Sequence, residues 1–105
     1  MEFKEVKSKN EFKEALEESE KKPVLVDFWA EWCLPCKRLG KELEKVEGFG
    51  TVLYKINIDE MNDLAQELQV RNIPHVKLYK DGKEADSFSG VKKSDEVVDW
   101  IEERV

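Results

Sequence analysis

The sequence predicts an α/β fold, a mixed central β-sheet with helices on both faces. Three observations carry that expectation. The run Val24-Leu25-Val26-Asp27-Phe28-Trp29 is almost continuously apolar, which suits a central strand covered on both sides. Segments of helical apolar spacing separate it from the next strand-like run, the pattern of parallel strands joined by crossover helices. Asp81-Gly82 then sits between two further strand-like runs, the signal of a tight hairpin and hence of an antiparallel pair. With 105 residues, a single domain over 1–105 with one modest core is expected.

Taken in order, Phe3 to Val6 reads as a short edge strand. Ser8 followed by Glu11 has the form of a capping box, and Phe12, Ala15 and Leu16 share one face of the helix behind it. That helix should fade by Ser19 and stop at Lys21-Lys22-Pro23. The strand Val24 to Trp29 follows. Pro35 falls where a first-turn proline is tolerated, and Leu39, Leu43 and Val46 give the second helix its apolar stripe, ending near Gly48-Phe49-Gly50. Thr51 to Ile58 reads as a strand. Asn62 is expected to cap a shorter helix with Leu64, Ala65 and Leu68 inward. His75 to Lys80 and Glu84 to Ser89 form the hairpin strands, and Gly90 breaks the second. Ser94 is expected to cap a last helix carrying Val97, Val98 and Ile101. The order is βαβαββα.

Charged residues make up 40% of the chain and the formal net charge is −6. Lys and Glu interleave along the helices, the pattern of a solvated surface. An acidic chain without a basic patch argues against nucleic-acid binding. No apolar run approaches the length of a membrane span, so no membrane partner is expected. Met1-Glu2-Phe3-Lys4-Glu5 has no apolar signal core, which points to a cytoplasmic location.

Both cysteines lie in Trp32-Cys33-Leu34-Pro35-Cys36-Lys37. Their i, i+3 spacing puts both sulfurs on one side of a helical turn. A helix N-terminus directs free N–H groups and the positive end of its dipole at such a sulfur, which stabilises a thiolate. Two thiols so placed can attack a substrate disulfide and leave as their own disulfide. The same pair could form half of a zinc site, but that needs two more ligands. His75 is the only histidine and there is no second CxxC, so no metal is expected.

Asp27 is the second chemical signal. Burying an ionised carboxylate is costly, so its pKa should rise. It reads either as a functional acid beneath the CxxC or as a structural partner of Lys55, and the first reading is preferred. His75 reads as a half-buried side chain with one hydrogen bond rather than as a thiolate or metal partner. Alternation turns Trp29 inward, while Trp32 and Leu34 are expected to be exposed beside the reacting sulfur and to form part of a partner-binding patch.

Five matches in register identify the resemblance. They are Val26-Asp27-Phe28-Trp29-Ala30, Trp32-Cys33-x-Pro35-Cys36-Lys37, Lys55-Ile56-Asn57-Ile58-Asp59, Val70-Arg71-Asn72-Ile73-Pro74, and Asp81-Gly82 followed by Gly90. Together they resemble the thioredoxin family over essentially the whole chain. The resemblance implies the thioredoxin fold, with Cys33 the exposed attacking cysteine and Cys36 the buried resolving one. It implies that Asp27 is a buried general base tuned by Lys55 and that Pro74 is a cis-proline opposite the CxxC. Trp32, Ile73, Gly90 and Val91 match the rim on which substrate peptides lie, with Leu34 and Pro35 beside them. The chain departs from the family's pattern at Leu34-Pro35 (usually Gly-Pro), at Lys41 (usually a kinking proline), and at His75 (usually Thr).

The function so implied is disulfide reduction and electron carriage through a reversible Cys33–Cys36 disulfide. Protein disulfides are the expected substrates and a thioredoxin reductase the expected electron donor. A monomer without a cofactor of its own is expected, since no nucleotide-binding loop is present. Two alternatives stand beside it: an oxidase or isomerase of the same fold, and a non-catalytic subunit using the same groove. Leu34 provides neither the cation nor the donor that a strong oxidant favours near its thiolate, and retention of both cysteines speaks against the non-catalytic subunit.

Overall fold

A computed structural model describes residues 1–105. The elements are β1 (Glu2–Glu5), α1 (Lys9–Glu18), β2 (Val24–Trp29), α2 (Leu34–Glu44), β3 (Val52–Asn57), α3 (Asn62–Glu67), β4 (His75–Lys80), β5 (Lys83–Ser89) and α4 (Ser94–Glu102). The expected order βαβαββα describes β2 through α4, and β1 and α1 precede it. The five strands form one sheet in the order β1-β3-β2-β4-β5. β1, β3 and β2 run parallel, while β4 is antiparallel to both β2 and β5.

β2 is the central strand, and Val24 through Phe28 are all buried. Period-two alternation sorts its side chains between two cores. Val24, Val26 and Phe28 pack with Phe12 and Ala15 of α1 and Leu64 of α3. Leu25 packs on the other face with Leu39 and Leu43 of α2 and Val97, Trp100 and Ile101 of α4. Asp27 follows Leu25 in phase, so it faces α2. In the same register Asp27 lies opposite Val76 and Phe28 opposite His75, so His75 belongs to the opposite face.

Most boundaries shift by one or two residues, and two caps are corrected. Asn62 is the first helical residue of α3 and Met61 takes the cap position without a side-chain bond. The Asn62 amide oxygen instead accepts from Gln66 Nε2 at 2.9 Å. Lys93, not Ser94, precedes α4, and its backbone N–H donates to Glu96 Oε1 at 3.0 Å. Ser94 is the first helical residue, and its N–H donates to Glu42 Oε1, also at 3.0 Å, tying α4 to α2. Ser8 does cap α1, accepting from the Glu11 N–H at 3.2 Å. α2 ends at Glu44, so Val46 is buried just beyond the helix rather than within it.

The hairpin turn has φ of 56° at Asp81 and 78° at Gly82, the two positive values a type I′ turn needs. Their N–H groups donate to the Ser19 carbonyl (2.8 Å) and hydroxyl oxygen (2.9 Å), fastening the hairpin to the end of α1.

Gly40 sits inside α2, and a Cβ built there meets nothing within 4 Å. Gly40→Ala is therefore expected to raise the unfolding free energy by about 0.5–1 kcal/mol through helix propensity. Urea unfolding checks this, and a lowered midpoint would contradict it.

Candidate active site

The site forms where β2 hands over to α2. Cys33 is the N-cap of α2, with extended backbone, and its Sγ accepts the Cys36 N–H at 3.2 Å. Pro35 lies in the first turn, where its missing N–H costs nothing. A backbone donor and the helix dipole therefore converge on the Cys33 sulfur, the arrangement that stabilises a thiolate. Cys33 and Cys36 are joined as a disulfide with Cα atoms 5.3 Å apart.

The expected contrast between an exposed Cys33 and a buried Cys36 is corrected for this oxidised state: they are 5% and 2% exposed. The bridge folds both residues against Ala30, with Trp29, Ile58 and Ile73 packed around them. Exposure belongs instead to the neighbouring rim, where Trp32 is 67%, Leu34 71% and Val91 44% exposed. Pro35 and Ile73 are half-buried and Pro74 is buried. The Ile73–Pro74 peptide bond is cis. The Gly90 N–H donates to the Pro74 carbonyl at 3.0 Å, joining two rim segments that are distant in sequence. Gly90 has φ of 86°, a conformation that favours glycine.

Trp32 is held although exposed. Its indole N–H donates to Asp59 Oδ2 at 3.0 Å. The Asp59 N–H in turn donates to Asn57 Oδ1 at 2.9 Å. Sequence reasoning missed this anchor, although Asn57-Ile58-Asp59 carries its signal: an Asx-type turn that folds the backbone back on a side-chain oxygen.

Asp27 is 1% exposed, and neither carboxylate oxygen has a hydrogen-bond partner. Burial pushes its pKa up to about 7, while the Lys55 charge pulls the other way. Lys55 lies opposite Asp27 in the β2–β3 register but makes no hydrogen bond to it. Its ammonium rests over the half-buried Trp29 ring, 4.7 Å from the centroid. Lys55 therefore acts on Asp27 through its field rather than by contact.

His75 Nδ1 lies 2.8 Å from Ser89 Oγ. Burial lowers its pKa, Lys77 adds to the lowering, and Glu84 opposes it. The ring is a half-buried group with one side-chain partner, and it faces away from Asp27.

A family model for thioredoxin matches residues 3–103. A thioredoxin of Rickettsia felis is 41% identical over 86 residues, spanning 79% of this chain and 82% of that protein. The mitochondrial thioredoxin of Bos taurus is 41% identical over 86 residues, spanning 79% of this chain and 52% of its own length. Among solved structures, a mutant thioredoxin from Halobacterium salinarum NRC-1 superposes with a TM-score of 0.89 at 31% identity, covering 98% of this chain and 90% of the other.

The Asp27 carboxyl sets a pH dependence. Below its unfolded-state pKa it is neutral in both states and carries no penalty. Between there and the folded value the unfolded chain ionises and the folded one does not, so stability falls as pH rises; above it the penalty is constant. A rise from 3.8 to about 7 corresponds to roughly 4 kcal/mol at about 1.36 kcal/mol per unit. Asp27→Ala is expected to gain nothing over the parent below about pH 3 and up to about 4 kcal/mol above about pH 8. Urea unfolding across that range checks it; a pH-independent difference would contradict it.

Proposed function

The chain belongs to the thioredoxin family and is a protein thiol–disulfide oxidoreductase, and from that premise we propose that it works as a reductant of protein disulfides. The observation that carries the reading is the Cys36 N–H directed at Cys33 Sγ on the first turn of α2. In the reduced protein, Cys33 as thiolate attacks one sulfur of a substrate disulfide. That S–S bond breaks, a mixed disulfide forms, and one substrate thiolate leaves. Cys36 passes its proton to Asp27 and attacks Cys33 Sγ. The mixed disulfide breaks, the second substrate thiolate leaves, and two electrons have passed to the substrate. The Cys33–Cys36 disulfide is the product.

Asp27 suits the acceptor role because a carboxyl with a pKa of about 7 exchanges protons near neutrality. Lys55 tunes it by opposing the effect of burial. Trp32, Leu34, Pro35, Ile73, Pro74, Gly90 and Val91 receive the substrate peptide, a rim around a covered disulfide on which Trp32, Leu34 and Val91 stand exposed. In this reading a thioredoxin reductase returns the electrons, and the chain works in the cytoplasm as a monomeric electron carrier without a cofactor of its own. No helix is long and apolar enough to cross a membrane. Leu34 favours the reductive direction over an oxidase or isomerase. It adds no cation or donor beside the thiolate, so it gives the reduced form no extra stabilisation.

Limited iodoacetamide on the reduced protein near neutral pH should label Cys33 before Cys36, as peptide mass spectrometry would read. Equal labelling would reverse the assignment of attacking and resolving sulfur. Insulin-disulfide reduction together with the reduction potential tests the direction: a reductant is slow to oxidise dithiols and fast on insulin. Leu34→Gly is expected to keep insulin reduction within about twofold while changing relative rates across a panel of protein disulfides, because it removes only exposed apolar surface. Unchanged relative rates would show that Leu34 does not select partners.

A further inference from the structure

Cys36 also borders a second concavity, which shares no residue with the apolar rim. It is an open cleft of about 290 Å³ between Trp29 and Lys55 of the sheet and Cys36, Lys37, Gly40, Lys41 and Glu44 of α2. Its lining holds three lysines against one glutamate, although the whole chain carries a net charge of −6. The local charge therefore runs against the net charge of the chain, and it favours an anion entering the cleft.

The ammonium groups there are only weakly paired. Lys37 reaches only Glu31, at 3.9 Å. Lys41, Lys55 and Glu44 form no ion pair within 4.0 Å. Lys55 is half-buried over the Trp29 ring face and lies opposite Asp27 without a hydrogen bond to it, an incompletely compensated position for a cation. Gly40 adds no side chain to the wall, and the space its Cβ would occupy is free. Lys41 adds a cation at a position where the sequence departs from the proline of the family pattern.

We propose that this cleft binds a phosphate group, with Lys41 and Lys55 donating to its oxygens over the floor formed by Trp29. Glu44 sharpens the chemistry. A carboxylate in the lining repels a fully deprotonated anion such as sulfate, but it accepts a hydrogen bond from the P–OH of a protonated phosphate. The two lysines provide the affinity and Glu44 provides the preference for phosphate over sulfate. The inference is independent of the redox direction, since binding is read on the oxidised protein.

The test is a titration of the oxidised full chain with inorganic phosphate, followed by ¹⁵N–¹H NMR at constant ionic strength set with sodium chloride. The amides of Gly40, Lys41 and Lys55 and the Trp29 indole should shift saturably. Phosphate should bind more tightly than sulfate. Lys41→Gln should weaken phosphate by about tenfold, the loss of one charge-assisted hydrogen bond. Lys93→Gln, a surface control outside the cleft, should change nothing. Glu44→Ala should remove the preference for phosphate. Shifts that do not saturate, shifts spread over the surface lysines, or unchanged affinity in Lys41→Gln would overturn the proposal.

Discussion

The constraint on which the rest depends is a buried carboxyl with no partner. Asp27 occupies the central strand, where every neighbour from Val24 to Phe28 is buried, and neither of its oxygens is hydrogen-bonded. Such a group destabilises the fold by an amount comparable to a large share of a small domain's net stability. The fold tolerates it because β2 carries apolar cores on both faces at once. Alternation along β2 then decides the chemistry. It directs Asp27 to the α2 side, the side from which Cys36 descends, and it directs His75 to the other side through the pairing with Phe28.

The top of the sheet works by contrast of exposure. The sulfurs are covered, yet the apolar side chains beside them stand open to solvent. An exposed indole on a flexible loop would lose much entropy on binding a partner. Here Asn57 shapes the turn that sets Asp59, and Asp59 holds the indole. The indole is thus held in one orientation although it is exposed. A single Gly90–Pro74 backbone bond likewise holds together two segments of the rim.

Much of this was legible in the sequence because each signal is local. The continuous apolar run specified β2, the Asp-Gly pair specified the hairpin, and the i, i+3 cysteines specified the redox pair. His75 reads as a half-buried side chain with one hydrogen bond and has Ser89 as that partner, but the face it occupies comes from a register opposite Phe28 that the sequence does not show. The caps of α3 and α4 were misjudged because both helices begin one residue earlier than a cap at Asn62 or Ser94 allows: the Asn62 side chain bonds Gln66 within the helix, and the Ser94 N–H, as a first-turn donor, is taken by Glu42 across helices. The burial of Cys33 was not legible, since it follows from the closed disulfide and from Ile58 and Ile73, which arrive from other parts of the chain. Nor was the Lys55 contact with Trp29 rather than Asp27, because a strand pattern gives register but not the direction of a long side chain. The cleft beside Cys36 needs residues from β2, β3 and α2 together.

The central claim is that Asp27 remains buried and unpaired because it takes the proton of Cys36. The most direct measurement is the rate at which Cys36 resolves a mixed disulfide preformed on Cys33, followed by stopped flow as a function of pH in the parent and in Asp27→Asn. The account predicts that the parent rate at neutral pH follows a titration near pH 7, the folded-state value of Asp27. In the variant that inflection should vanish and the rate should fall by about 10². A variant that resolves the mixed disulfide as fast as the parent, with the same pH profile, would contradict the account and leave Asp27 a structural acid.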